Sequence, residues 1–316
     1  QIIEAHPDEF KALHPTLVSS VAGAANWRDT YQLPWHFKSE DINVNLLPMA
    51  IEAIREMSER ICALGLRPAL VAAATAHSQD VIHAYLEEPG RFPAAQAAWN
   101  WDTLREHYLV RRPADEMRQA LEAYLEGLRH GQVLGKERGG RECDALLRCR
   151  EGGVTVAEFL DHRGRPDSLR DGVEFTALFM APDGRPIPLM HSDDVFFLMF
   201  GKPTIEQTRK IVQPLVLAYP FGLGFLEDGG GIVITNAMYA PRDEPALQDP
   251  NKNVWVKFGP DEYHGRCAWP WVLFALLHGI HRHVLNGIDQ AGHLANGLTI
   301  DDLRLFRRIL AQAKAS

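Results

Sequence analysis

Apolar residues recur every three or four positions in several parts of the chain. Between Pro48 and Leu64 the apolar positions are mostly isoleucine and methionine, and Gly65 follows as a stop signal. This pattern predicts a helix over Pro48–Leu64. The same criteria predict further helices over residues 68–88, Asp115–Leu128, Ser192–Phe200, Thr204–Leu217, Trp269–Leu285 and Thr299–Lys314.

Several predicted helix ends carry residues typical of helix caps. The Ser-Asp-Asp sequence at residues 192–194 is of the kind that caps a helix start. Thr204 is followed three residues later by a glutamine, which is close to a capping box. Pro270 suits the first turn of its helix, and Thr299 or Asp301 is the expected cap of the last helix.

Residues 141–190 show a different pattern. Short β-branched or alternating runs, such as Val154–Phe159 and Val173–Met180, are separated by Gly, Asp and Pro turns. We interpret this stretch as a small β-rich insertion. It would lie within one mainly α-helical domain that spans residues 1–316.

Composition and charge narrow the class of protein. The net charge of −8, from 33 basic and 41 acidic residues, argues against a nucleic-acid-binding surface. The longest apolar run, Trp269–Leu277, is far shorter than the ~20 residues of a membrane span, so we expect a soluble protein. The chain starts at Gln1 and shows no apolar leader segment. We therefore expect either that a leader was removed or that the chain is a fragment of a longer protein. The compartment and the oligomeric state stay open.

The first segment with candidate chemistry precedes the first predicted helix. Asp29 follows a tryptophan by two positions, and an apolar wall can raise a carboxyl pKa enough for the group to donate a proton. The alternative is a structural ion pair between Arg28 and Asp29. The candidates for contacting a sugar in this segment are Trp27, Arg28, Tyr31, Asp41 and Asn43.

The second segment covers residues 258–271 at the start of a predicted helix. It combines two adjacent carboxylates with aromatic and hydrogen-bonding side chains, which is the mixture that carbohydrate sites need. The alternative is an ordinary helix start with exposed carboxylates. Its candidate residues are Asp261, Glu262, Tyr263, His264, Trp269 and Trp271.

Two shorter segments, 191–194 and 236–239, could bind hydroxyl groups or could equally be caps and turns. Their candidates are His191, Asp193, Asp194, Asn236 and Tyr239. No metal site is expected, because His278, His281 and His283 do not share one helical face. The glycines at 229–231 lack dinucleotide-loop spacing, so no cofactor is expected either.

These segments resemble those of bacterial six-hairpin glycosidases related to glycogen-debranching enzymes. Asn26–Thr30 and Asp41–Asn45 resemble the loops of that group, and the first also resembles the acid loop of cellobiose-phosphorylase-like enzymes. Tyr263–Trp271 resembles a debranching-group segment that ends in Trp-Pro-Trp. Gly259–His264 matches a string of the maltose-phosphorylase-like family, in which the glutamate is the general acid. A late glutamate segment of the family has no counterpart before the end of this chain.

The resemblance implies an (α/α)6 toroid-like barrel, present in part, and a carbohydrate substrate. It implies an inverting glycoside hydrolase with Asp29 as general acid and Glu262 as base or second carboxylate. One alternative is an inverting phosphorylase, in which His264 and Arg266 would bind phosphate. Another is a non-catalytic carbohydrate-binding protein. We expect the loop segments to converge on one pocket, since sites concentrate on loops held by a rigid scaffold.

Overall fold

The computed structural model of the chain describes only part of its length. The described residues are 38–40, 42–69, 72, 100–129, 172–180, 185–224, 231–240, 258, 264–288, 290 and 292–315. Within them the strands are β1 Lys38–Glu40, β2 Leu109–Arg112, β3 Val173–Met180, β4 Pro186–His191 and β5 Thr235–Asn236. The helices are α1 Ile42–Ala63, α2 Trp101–Tyr108, α3 Ala114–Arg129, α4 Val195–Phe200, α5 Ile205–Val216, α6 Pro270–Asn286 and α7 Ile300–Ala315.

The five strands form an antiparallel sheet centred on β3. Strand β3 pairs with β4 along one side, and β4 pairs in turn with β5. Strand β2 pairs with the first four residues of β3, and strand β1 pairs with the last two residues of β3. Most of β3 is buried on both faces, which explains its nearly continuous apolar sequence.

The hydrophobic core lies between this sheet and the helices. Helix α3 contributes Met117, Leu121 and Tyr124, which recur at helical spacing and are at most 1% exposed. Helix α4 packs closely on α6, since a Cβ atom placed on Gly279 would lie 2.6 Å from the Cβ of Leu198. Glycine permits this close approach of the two helices.

Four helix predictions are confirmed to within a residue or two. They are Asp115–Leu128, Thr204–Leu217, Trp269–Leu285 and Thr299–Lys314, which correspond to α3, α5, α6 and α7. The capping box at Thr204 is present, and Pro270 occupies the first turn of α6. The hydroxyl of Thr299 accepts a hydrogen bond from the backbone N–H of Asp302, so Thr299 caps α7.

Two helix predictions need correction at their starts. Helix α1 begins at Ile42, so Pro48 lies inside the helix instead of opening it. The predicted helix Ser192–Phe200 begins at Val195, and Asp194 makes no side-chain cap hydrogen bond. Most of the predicted helix 68–88, and Val154–Phe159, lie outside the described residues.

The predicted mainly α-helical, (α/α)6 toroid-like fold is wrong for the described part of the chain. Its helices pack around an antiparallel sheet, and the strands come from between residues 38 and 236. The predicted strand Val173–Met180 is confirmed as β3, and it pairs with β1 and β2, which lie outside residues 141–190. The sequence pattern failed here because β1, β2 and β5 have two to four residues, too few to show a period-two alternation.

Candidate functional site

The segment His191–Asp194 follows the sheet directly. His191 is the last residue of β4 and pairs with Thr235 of β5, and the backbone N–H of Ser192 donates to the carbonyl of Ile234. The Nδ1 atom of His191 accepts a hydrogen bond of 3.1 Å from the backbone N–H of Asp193. The carboxylate of Asp193 lies 3.9 Å from the same nitrogen, and both side chains are fully buried.

The carboxylate of Asp194 binds side chains from distant elements. Its Oδ1 accepts from Nδ2 of Asn45 at 3.2 Å, and its Oδ2 accepts from the hydroxyl of Thr176 at 3.1 Å. The Oδ1 of Asn45 accepts from Nε1 of Trp101 at 3.0 Å. Helices α1 and α2 and strand β3 are thereby joined to the start of α4. This network explains why Asp194 does not cap the helix.

Asn236 binds the backbone of a neighbouring turn. Its Nδ2 donates to the carbonyl oxygens of Pro220 at 2.6 Å and Gly222 at 2.9 Å. Its Oδ1 accepts from the backbone N–H of Met238 at 2.9 Å. Both amide hydrogens and one acceptor position are therefore used inside the protein.

Tyr239 is tied to the same turn. Its hydroxyl donates to the carbonyl of Phe221 at 2.6 Å, and its ring packs at a tilt on Phe175 of β3. Burial raises the pKa of Tyr239 well above its ordinary value, so the phenol stays protonated.

The described part of the second segment, residues 264–271, is attached to β5. The hydroxyl of Thr235 donates to the carbonyl of His264, and the backbone N–H of Ile234 donates to the carbonyl of Cys267. The ring of His264 is buried and stacks on Trp269 with centroids 6.4 Å apart. Trp269 and Trp271 are half-buried at the start of α6.

The segments 191–194, 236–239 and 264–271 therefore meet around the ends of β4 and β5. Asn45 of α1 is hydrogen-bonded to Asp194 in the first of these segments. Several candidates lie outside the described residues: Trp27, Arg28, Asp29, Tyr31, Asp41, Asp261, Glu262 and Tyr263. Asn43 is placed in α1 by its backbone alone. The described segments are neighbours, but most of their side chains are buried, and the prediction that the segments share one pocket stays a prediction.

Sequence reasoning assigned no individual role to the residues that hold this region together. Asn45, Trp101, Thr176 and Thr235 are all buried and hydrogen-bonded to candidate residues or to one another. Thr176 lies in an apolar strand, where an isolated threonine is unremarkable. An asparagine inside an apolar helix was the one local signal that could have indicated a buried contact, since asparagine is a poor helix former.

The three histidines of α6 lie in different environments. His278 is exposed and stacks on Phe274, His281 is exposed, and His283 is half-buried next to Thr208. Across the described ranges, no group of three metal-binding side chains comes together. None of the helices described in the structure combines the length and apolar character needed to cross a membrane.

The chain was also compared with known proteins. No protein-family model matches it, and neither the curated proteins nor the solved structures give a match.

Proposed function

We propose that the chain is a glycoside hydrolase that cleaves an oligosaccharide or polysaccharide by an inverting acid/base mechanism. One observation supports the proposal most directly. The segments 191–194, 236–239 and 264–271, which were selected for carbohydrate chemistry, are neighbours around one end of the sheet.

The catalytic groups of this proposal are two carboxyls. Asp29 is the general acid and Glu262 is the base that activates water. Inversion requires the two carboxyl groups to stand roughly 6.5–9.5 Å apart, so that a water molecule fits between them and the sugar. Glu262 precedes His264 by two residues in the sequence.

The surrounding residues divide into two roles. Trp269 and Trp271 are half-buried, and their remaining exposed surface can serve as an apolar platform for a sugar ring. Asp194, Asn236 and Tyr239 already bind protein atoms, so we assign them to holding the loops in place.

A glycan screen tests the proposal. Native protein is incubated with α- and β-linked oligosaccharides, and new reducing ends are measured with and without inorganic phosphate. The variants are Asp29→Asn and Glu262→Gln. The matched control is Asp301→Asn on α7, whose carboxylate is 86% exposed. We expect phosphate-independent cleavage that both variants lose and the control keeps.

The other outcomes contradict the proposal in distinguishable ways. Cleavage that requires phosphate would identify a phosphorylase. Sugar binding without turnover, with the same affinity in Asp29→Asn, would identify a non-catalytic carbohydrate-binding protein. Turnover that survives both substitutions would remove the two carboxyls from the mechanism.

A further inference from the structure

A cavity of about 490 Å³ lies away from the candidate residues. It is open to the surface and is lined by the end of α4, the start of α5, the second half of α6 and the segment that follows α6. None of the described candidate site residues lines it. Leu198, Pro203 and Ile205 supply apolar surface, whereas the other side of the cavity is polar. Its volume falls in the range of small-molecule sites, about 300–1,000 Å³.

Arg282 lines this cavity with a guanidinium group that also binds the end of α4. Its Nη1 donates to the carbonyl of Met199 at 2.5 Å, and its Nη2 donates to the carbonyl of Gly201 at 3.2 Å. These bonds use two of the five guanidinium N–H groups, so three remain to bind a ligand. Within the described ranges, no carboxylate forms an ion pair with Arg282.

The other charged side chains that line the cavity form ion pairs within the protein. Lys202 is held by Glu52 at 2.8 Å and by Glu56 at 2.9 Å. Glu206 lies 3.5 Å from a guanidinium nitrogen of Arg209, which also forms a shorter ion pair of 2.7 Å with Asp302. Among the charged lining residues, Arg282 is therefore the one with no ion-pair partner within the described ranges, and its guanidinium is the group that can bind a carboxylate of a ligand.

His283 adds a hydrogen-bond acceptor. The hydroxyl of Thr208 donates to the carbonyl of Thr204 at 2.9 Å, so its hydrogen is committed. The contact of 3.3 Å between that hydroxyl and Nδ1 of His283 therefore has Nδ1 as the donor. Burial lowers the pKa of His283, which keeps the ring neutral at neutral pH. In this tautomer Nε2 is an acceptor.

Two asparagines complete the polar side. Asn286 and Asn296 both line the cavity, and Nδ2 of Asn296 donates to the backbone carbonyl of Asn286 at 2.7 Å. The Oδ1 atom of Asn296 can accept from a ligand hydroxyl. The cavity therefore combines one cationic donor group with several neutral partners for hydroxyl groups.

We propose that this cavity binds a small hydroxylated carboxylic acid of the sugar-acid class. The carboxylate would bind the free N–H groups of Arg282, which match it in geometry and charge. The hydroxyl groups would bind His283, Asn286 and Asn296. The proposal does not depend on glycoside hydrolysis, because it uses a different region and other residues.

Calorimetric titration of the full chain tests the proposal, with glucuronate as a ring-form acid and gluconate as an open-chain acid. Glucose and acetate are the comparison ligands, because glucose has hydroxyl groups without a carboxylate and acetate has a carboxylate without hydroxyl groups. We expect at least one sugar acid to bind and both comparison ligands to bind at least tenfold more weakly. Tighter binding of glucuronate would indicate a uronic acid as the ligand, and tighter binding of gluconate would indicate an aldonic acid.

Two variants locate the binding site. Arg282→Met should weaken binding of the acid by roughly ten- to hundredfold, because a charge-assisted contact is lost. Asn286→Phe should block the cavity, and it is an exposed position that can be changed without opening the core. Arg304→Met is the matched control, since Arg304 is exposed on α7 and pairs with Asp301.

The folding of each variant is checked by circular dichroism. If Arg282→Met does not fold, Asn286→Phe decides the question. The proposal is overturned if neither acid binds, if glucose binds as tightly as the acid, or if binding survives in Asn286→Phe.

Discussion

The hydrogen bonds of Asn45 connect α1 to two other parts of the fold, and the substitution Asn45→Ala tests their importance. In the native protein Asn45 donates to the carboxylate of Asp194 and accepts from the indole of Trp101. Alanine can replace neither bond. Within this network, the carboxylate of Asp194 would keep only the hydrogen bond from Thr176.

The magnitude follows from the two lost bonds. A hydrogen bond to a charged group contributes ~1.5–3 kcal/mol, and leaving a buried N–H unsatisfied costs ~1–3 kcal/mol. Alanine recovers about 0.5 kcal/mol, because it is a better helix former than asparagine. The free energy of unfolding should therefore fall by about 2–5 kcal/mol.

Urea titration followed by circular dichroism measures this loss as a lower midpoint at an unchanged slope. The matched control is Asn286→Ala, which makes the same substitution at an exposed helical position. It should change the free energy of unfolding by less than ~0.5 kcal/mol. If Asn45→Ala loses no more than the control, the network does not stabilise the fold as we infer.

Three further predictions concern other contacts. Hydrogen bonds from Arg209 hold the pKa of Asp302 well below its usual range, so this contact stabilises the fold above a pH of about 4 and the stabilisation is lost as the pH falls further. Arg209→Gln should flatten the acid-side decline of the melting temperature, and an unchanged decline would refute this. Gly279→Ala should destabilise the fold by about 1–3 kcal/mol in a urea titration, because its Cβ would overlap Leu198; a neutral result would show that α4 and α6 can separate freely. Tyr239→Phe removes the hydrogen bond that the hydroxyl donates to the carbonyl of Phe221 and should cost about 0.5–1.5 kcal/mol by thermal unfolding, whereas a stabilised variant would contradict that contact.

The candidate region was only partly predictable from the sequence. The residue types in 191–194, 236–239 and 264–271 identified segments that are neighbours in space. Their individual roles were not predictable. Asp194 has the sequence position of a helix cap, but its carboxylate is bound by Asn45, which lies 149 residues away in the chain. No local pattern contains that information.

Helices such as α3, α5 and α7 could be located from the sequence alone, because an apolar stripe and a cap depend on residues three or four positions apart. The pairing of the strands into a sheet, in contrast, depends on tertiary contacts. A strand of two residues, such as β5, exists only because β4 supplies its hydrogen-bond partners. The strand Val173–Met180 was predicted from its residue pattern and is β3, but its pairing with β1, β2 and β4 depends on segments far away in the chain. The sequence determined where helices form, and contacts between distant segments determined that they surround a sheet instead of closing into a ring.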